Sequence, residues 1–123
     1  MAENEKFSIR ARIKSFTYAF SGIKSFFITE HNGRIHLLAA IMAIALSFYL
    51  HISSTEWIAI LTVITIVLVA EIFNSSIEKL ADIVTAEFHP KIKIVKDLAA
   101  AAVLLAAFLA LVVGGIIFLP KLF

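Results

Sequence analysis

Glu71, Asn74, Glu78 and Asp82 stand three, four and four positions apart in the stretch VAEIFNSSIEKLAD. At about 100° per residue, that spacing projects all four from one helical face, within a stripe roughly 80° wide. Three carboxylates and one amide carbonyl make a hard oxygen set, suited to Mg2+ that keeps some of its water and shares phosphate oxygens, and unsuited to zinc. The adjoining segment AEFHPKIKIVKD supplies the opposite charge in Lys91, Lys93 and Lys96, which can hold phosphate oxygens as point charges. Acids, a divalent cation and lysines together point to phosphoryl transfer. In that chemistry cations stabilise the charge on the group in flight while a carboxylate takes the nucleophile's proton.

The stripe grows out of a stretch that should not tolerate it. From Trp57 to Ala70 the chain carries no Lys, Arg, Asp or Glu. Glu71 follows Trp57 by 14 residues, roughly 21 Å along a helix axis, which is short of a hydrocarbon core about 30 Å thick. Its carboxyl is therefore expected at acyl depth. An acid facing lipid costs roughly 2.5–3.5 kcal/mol on insertion scales, so this face is expected to look into a bundle or a watery cleft. For Glu78 and Asp82 the competing reading is a solvated face beyond the headgroups, although a purely structural helix avoids such a like-charge pair four residues apart.

The elements that must position these residues follow from hydropathy. Of 123 residues, 61% are apolar and 16% charged, whereas soluble chains are about a quarter charged, so much of this surface is expected to face a bilayer. Residues 7–29 read as an amphipathic surface helix: Ile13, Phe16, Phe20, Ile23 and Phe27 recur at three- and four-residue steps, flanked by Arg10, Arg12, Lys14 and Lys24. That apolar stripe suits the membrane interface or the protein's own bundle. HNGR, with Asn32 and Gly33, reads as a turn. Membrane helices are predicted at 35–52, with Arg34 snorkelling at its start, at 57–86, where the helix emerges into water, and at 98–119, closed by Pro120. HISSTEW forms the hairpin between the first two, and AEFHPKIKIVKD reads as an exposed loop before the third. The expected architecture is one all-α membrane domain over 1–123. Ten of the 11 Lys and Arg lie before the first span or around the second connection, which places the amino terminus and the lysine loop in the cytoplasm.

Several function classes drop out. With no cysteine there are no disulfides, thiolate zinc sites or cysteine nucleophiles. The net charge is +2, and the cations sit at the edges of apolar runs rather than on a broad basic face, which argues against nucleic acid as a partner. Glycines at 22, 33, 114 and 115 build neither a P-loop nor a glycine-rich kinase loop. His31, His36, His51 and His89 lack a metal-ligand spacing and are expected at interfaces or as caps. MAENEKF lacks the pattern of a signal peptide, so the mature chain is expected to start there.

AEIFNSSIEKLAD, followed by EFHP and VKDLAAAAVLLAA and preceded by TEHNGRIHLLAA, resembles the signature of the prokaryotic diacylglycerol kinase family, which includes the undecaprenol kinases. The likeness extends over nearly the whole chain. It implies a homotrimer of three-span protomers in the bacterial inner membrane that uses MgATP, with active sites near the cytoplasmic face where protomers meet. By position, Glu71 resembles the family's catalytic base, Glu30 and Glu78 its metal-binding glutamates, and Asn74 a supporting group. Lys96 and Asp97 match the pair that contacts ATP, with Glu87, His89 and Tyr18 nearby and Asp82 in support. The family's amino-terminal arginine falls between Arg10 and Arg12, so both are carried. RIHLL and EFHP look more like the undecaprenol kinase branch, and the acceptor stays open between diacylglycerol and undecaprenol.

The resulting expectation is an ATP-dependent lipid kinase. Two other classes compete with it. A small ion or proton transporter would use Glu71 in a relay, but no ionisable partner follows from Leu61 to Ala70 or in the third span. A non-catalytic membrane assembly protein would bind no ATP.

Overall fold

The structure is a computed structural model that describes residues 6–123; the start of the mature chain lies outside the described residues. Four helices follow one another: α1 (Ile9–Thr29), α2 (His31–Tyr49), α3 (Ser54–Val84) and α4 (Pro90–Leu122), with no strand among the described residues. The last three are long and apolar enough to cross a membrane, so the protein is an all-α, multi-pass membrane protein.

Local chemistry sets each helix end. Ser8 caps α1, its Oγ accepting from the Ala11 N–H at 3.3 Å. At the start of α3, Ser53 Oγ accepts from the Glu56 N–H at 3.2 Å while the Ser53 N–H donates to Glu56 Oε1 at 2.9 Å, a reciprocal capping box. Between α2 and α3, His51 takes the left-handed conformation at φ 53°, which turns the chain within the hairpin.

Small residues bring the helices together. Gly33, Ala40 and Ser47 of α2 and Ala99 and Ala106 of α4 are buried, and with no hydrophobic drive between helices inside lipid, close backbone approach is the main source of packing energy. α3 is the central rod and packs along α4, with α2 on another of its flanks. At the hairpin end, Ile52, Ile60 and Ile117 form the buried cluster, with Trp57, Val113 and Phe118 packed against it.

Four sequence expectations need correction. HNGR is no turn: α2 begins at His31, and Glu30 alone separates it from α1. Gly33 is a helical residue whose missing side chain leaves room for the ring of Phe26; a Cβ there would stand 2.8 Å from ring carbons. Nor does Arg34 reach for headgroups, since its guanidinium donates to the carbonyls of Phe27 and Ile28, two of the open acceptors at the end of α1. The exposed loop before α4 is also shorter than expected. Proline at the first helical position loses no hydrogen bond, so α4 starts at Pro90, and Lys91 to Asp97 are helical. Finally, α4 continues past Leu119 to Leu122 with Pro120 inside its last turn.

Much of the apolar stripe of α1 stays open: Ile13, Phe16 and Phe20 are 63%, 67% and 69% exposed, while Ile23 lines a groove against α3, Phe27 is half-buried, and the side chain that α1 buries is Phe26.

Candidate active site

Glu71 is the most deeply placed acid of the described residues, 3% exposed in the middle of α3. One oxygen, Oε1, lies 2.9 Å from His36 Nε2 on α2, while Oε2 is buried without a hydrogen-bond partner. One turn on, Asn74 is also buried. Its Nδ2 donates to Glu78 Oε1 at 3.4 Å, and its Oδ1 has no partner. Buried polar atoms in folded proteins nearly always find one, so both acceptors are open to a partner from outside the chain, a water, a metal ion or a substrate group.

The stripe then changes character. Glu78 and Asp82 are exposed, and Asp82 Oδ1 accepts from Lys96 Nζ of α4 at 2.9 Å, tying the outgoing acid face to the lysine segment. Glu30, at the elbow between α1 and α2, pairs with Lys79 of α3. A groove of about 500 Å³ between α1 and α3 carries Glu30, Lys79 and Ser75 on its walls. A second groove, about 520 Å³ and lined almost wholly by apolar side chains of α2, α3 and α4, has His36 at the end nearest Glu71. The acid stripe thus stands beside two openings, one polar and one suited to hydrocarbon.

The remaining candidates are placed as follows. Lys96 and Asp97 share the first turns of α4, where Asp97 pairs with Lys93. His89 is the cap of that helix, its Nδ1 accepting from the Lys91 N–H at 3.1 Å. Glu87 lies in the short connection, its N–H donating to Thr85 Oγ1 at 3.1 Å. Tyr18 is 64% exposed on α1, and Arg10 and Arg12 occupy the exposed start of that helix, Arg12 over the ring of Phe7. Along the axis of a straight α1, Tyr18 lies roughly 18 Å and Arg10 roughly 30 Å from Glu30.

Hard donors fit Mg2+ in kind: the orphaned Asn74 Oδ1 and the Glu78 carboxylate lie a turn apart, with Glu30 on the facing helix end. No group of three His, Cys, Asp or Glu converges as a metal centre among the described residues, so the single chain supplies donors without a closed cage. Sequence reasoning missed two partners. Lys79 sits beside Glu78 in a stretch read for its acids, and His36 is 35 positions from Glu71, a separation at which no periodicity carries a signal.

The family model for prokaryotic diacylglycerol kinase matches residues 17–118. A diacylglycerol kinase of Synechocystis is 36% identical over 109 residues, 88% of this chain and 62% of that protein. An undecaprenol kinase of Bacillus subtilis is 38% identical over 109 residues, 89% of each chain. A diacylglycerol kinase of Escherichia coli is 28% identical over 100 residues, 81% of this chain and 82% of that protein. The chain thus spans less than two thirds of the Synechocystis relative and most of the other two.

Proposed function

The chain belongs to the prokaryotic diacylglycerol kinase family, and from that premise we propose that it is a membrane lipid kinase that moves the γ-phosphoryl group of ATP onto a lipid alcohol. The observation that carries the reading is Glu71: a carboxylate 3% exposed, with one free oxygen, where an apolar groove meets a face of acids and lysines. A lipid's hydroxyl arrives from the hydrocarbon side and a nucleotide's phosphates from the charged side. Only such a boundary serves both.

Glu71 Oε2 accepts the proton of the lipid hydroxyl. The freed oxygen pair forms a bond to the γ-phosphorus, the bond from that phosphorus to the β–γ bridging oxygen breaks, and ADP leaves with the electron pair. The proton on Glu71 then passes to water, restoring the base. Glu30, Glu78 and the Asn74 amide oxygen would hold Mg2+, which neutralises charge on the phosphates. Lys96 steadies the phosphates once it leaves Asp82, and Asp97, Glu87, His89 and Tyr18 lie toward the nucleotide. Lys79 keeps Glu30 engaged until the metal arrives.

Exposure supports an assembly: broad apolar faces of α2 and α4 lie open, Leu104 and Leu105 each at 71%. A homotrimer in the bacterial inner membrane, amino terminus cytoplasmic, would cover part of that surface.

The acceptor is a primary alcohol at the interface, the feature diacylglycerol and undecaprenol share. The test is transfer from γ-labelled ATP to each in mixed micelles by purified protein, with Mg2+ and with chelator. Labelled lipid product supports the reading and the faster acceptor names the substrate; no transfer to either overturns it.

A further inference from the structure

Glu71 leaves one question open: what aims its free oxygen. A carboxylate on a flexible side chain can turn either oxygen toward a substrate, and an unfixed base spends much of its time misdirected. The one protein group that bonds it, among the described residues, is the imidazole of His36 on α2, Nε2 to Oε1 at 2.9 Å. His36 is 25% exposed, lines the apolar groove, and sits where that groove reaches the acid stripe. The other walls of the groove carry no second ionisable group: α3 presents residues such as Val63 and Val67, and α4 Ala107 and Gly114. The nearest charges on flanking turns are already committed, Arg34 to the carbonyls of α1 and Glu30 to Lys79.

We propose that His36 is a positioning residue for Glu71: its Nε2–H fixes Oε1 and thereby turns Oε2 toward the end of the groove where the lipid hydroxyl arrives. The inference rests on the lipid kinase reading of the same site. Proton and phosphoryl group move as described above; His36 keeps its own proton throughout and touches neither reactant. An N–H at the Nε2 position is the whole requirement, and the amide nitrogen of glutamine reaches nearly the same point. A histidine acting as proton shuttle or metal ligand would not be replaced by glutamine.

The experiment compares wild type with His36→Leu, His36→Gln, Glu71→Gln and the double variant Glu71→Gln/His36→Leu, each checked for folding by its elution in detergent. The wild type is first assayed with both lipid alcohols. Expected for His36→Leu is a fall in kcat of roughly tenfold to a hundredfold with the KM for MgATP unchanged, and for His36→Gln recovery to within about threefold of wild type. In the Glu71→Gln background, removing His36 produces no further loss, because its effect passes through the carboxylate. The inference is overturned if His36→Leu keeps wild-type kcat, if His36→Gln is as impaired as His36→Leu, or if the two losses multiply. A wild type that phosphorylates neither alcohol overturns instead the kinase reading and this inference with it. Should His36→Leu fail to fold, His36→Met, which likewise carries no N–H, and the double variant built with methionine decide by the same criteria.

Discussion

At its Ser53 end, α3 meets its polar groups in pairs: the capping box joins Ser53 and Glu56, and Glu56 also lies 3.4 Å from Lys121 of α4. Phe48 and Trp57 stack edge to face at 4.8 Å, and Ile60 is 2% exposed beneath them. Five turns along the same helix, Glu71 and Asn74 each bury an oxygen with nothing to bond it. A buried acceptor left without any partner lowers stability by roughly 1–3 kcal/mol, whereas the polar groups at the Ser53 end are closed within the chain. On the proposed mechanism, the contrast separates residues kept for the fold from residues kept for a reaction.

The largest effect that tests the contrast is at Glu71. Glu71→Gln keeps the shape and removes the base, so kcat is expected to fall roughly 10²- to 10⁴-fold while unfolding in detergent shifts little; unchanged turnover in the labelled-ATP assay would remove Glu71 from the chemistry. Ile117→Ala, in the cluster that holds Ile60, should do the reverse, costing about 2–5 kcal/mol in detergent unfolding with kcat per folded molecule unchanged. Gly33→Ala drives a methyl into the Phe26 ring, which is itself 5% exposed and has little room to retreat, and is expected to cost about 1–3 kcal/mol by the same measurement. Because Glu30 lies at the joint between these helices, this variant should also raise the KM for MgATP, which would make it the one packing change felt at both ends. Smallest is Ser53→Ala, about 1 kcal/mol from the lost cap and no change in turnover; a fall in kcat there would erase the distinction between the two ends.

How much of this was readable beforehand varied with the range of the interaction. The apolar runs located α2, α3 and α4, because hydropathy over some twenty residues is a local property. The acid stripe was legible for the same reason: Glu71, Asn74, Glu78 and Asp82 share a face by spacing alone. Gly33 and the lysine segment misled, each for a nonlocal or positional reason. Glycine reads as a break but is a clearance for a ring seven residues earlier, and the charges from Lys91 to Asp97 read as a loop although Pro90, which keeps His89 extended, is placed at the first helical position, where it does no harm. Burial divided the stripe into a hidden pair and an exposed pair, a distinction that depends on α2 and α4 and is absent from the spacing. His36 was illegible as Glu71's partner because only the fold joins them.

The unbroken course of α3 ties the reaction to the thickness of the lipid sheet. Trp57 and Glu71 are rungs on one rigid ladder, roughly 21 Å apart, and neither can rise or sink without the other. On the proposed mechanism, a bilayer a few ångströms thicker or thinner is expected to shift the carboxylate against the plane where lipid alcohol and phosphates meet, by as much as tilting of α3 leaves unabsorbed. Membrane dimensions then become a setting of the turnover rate.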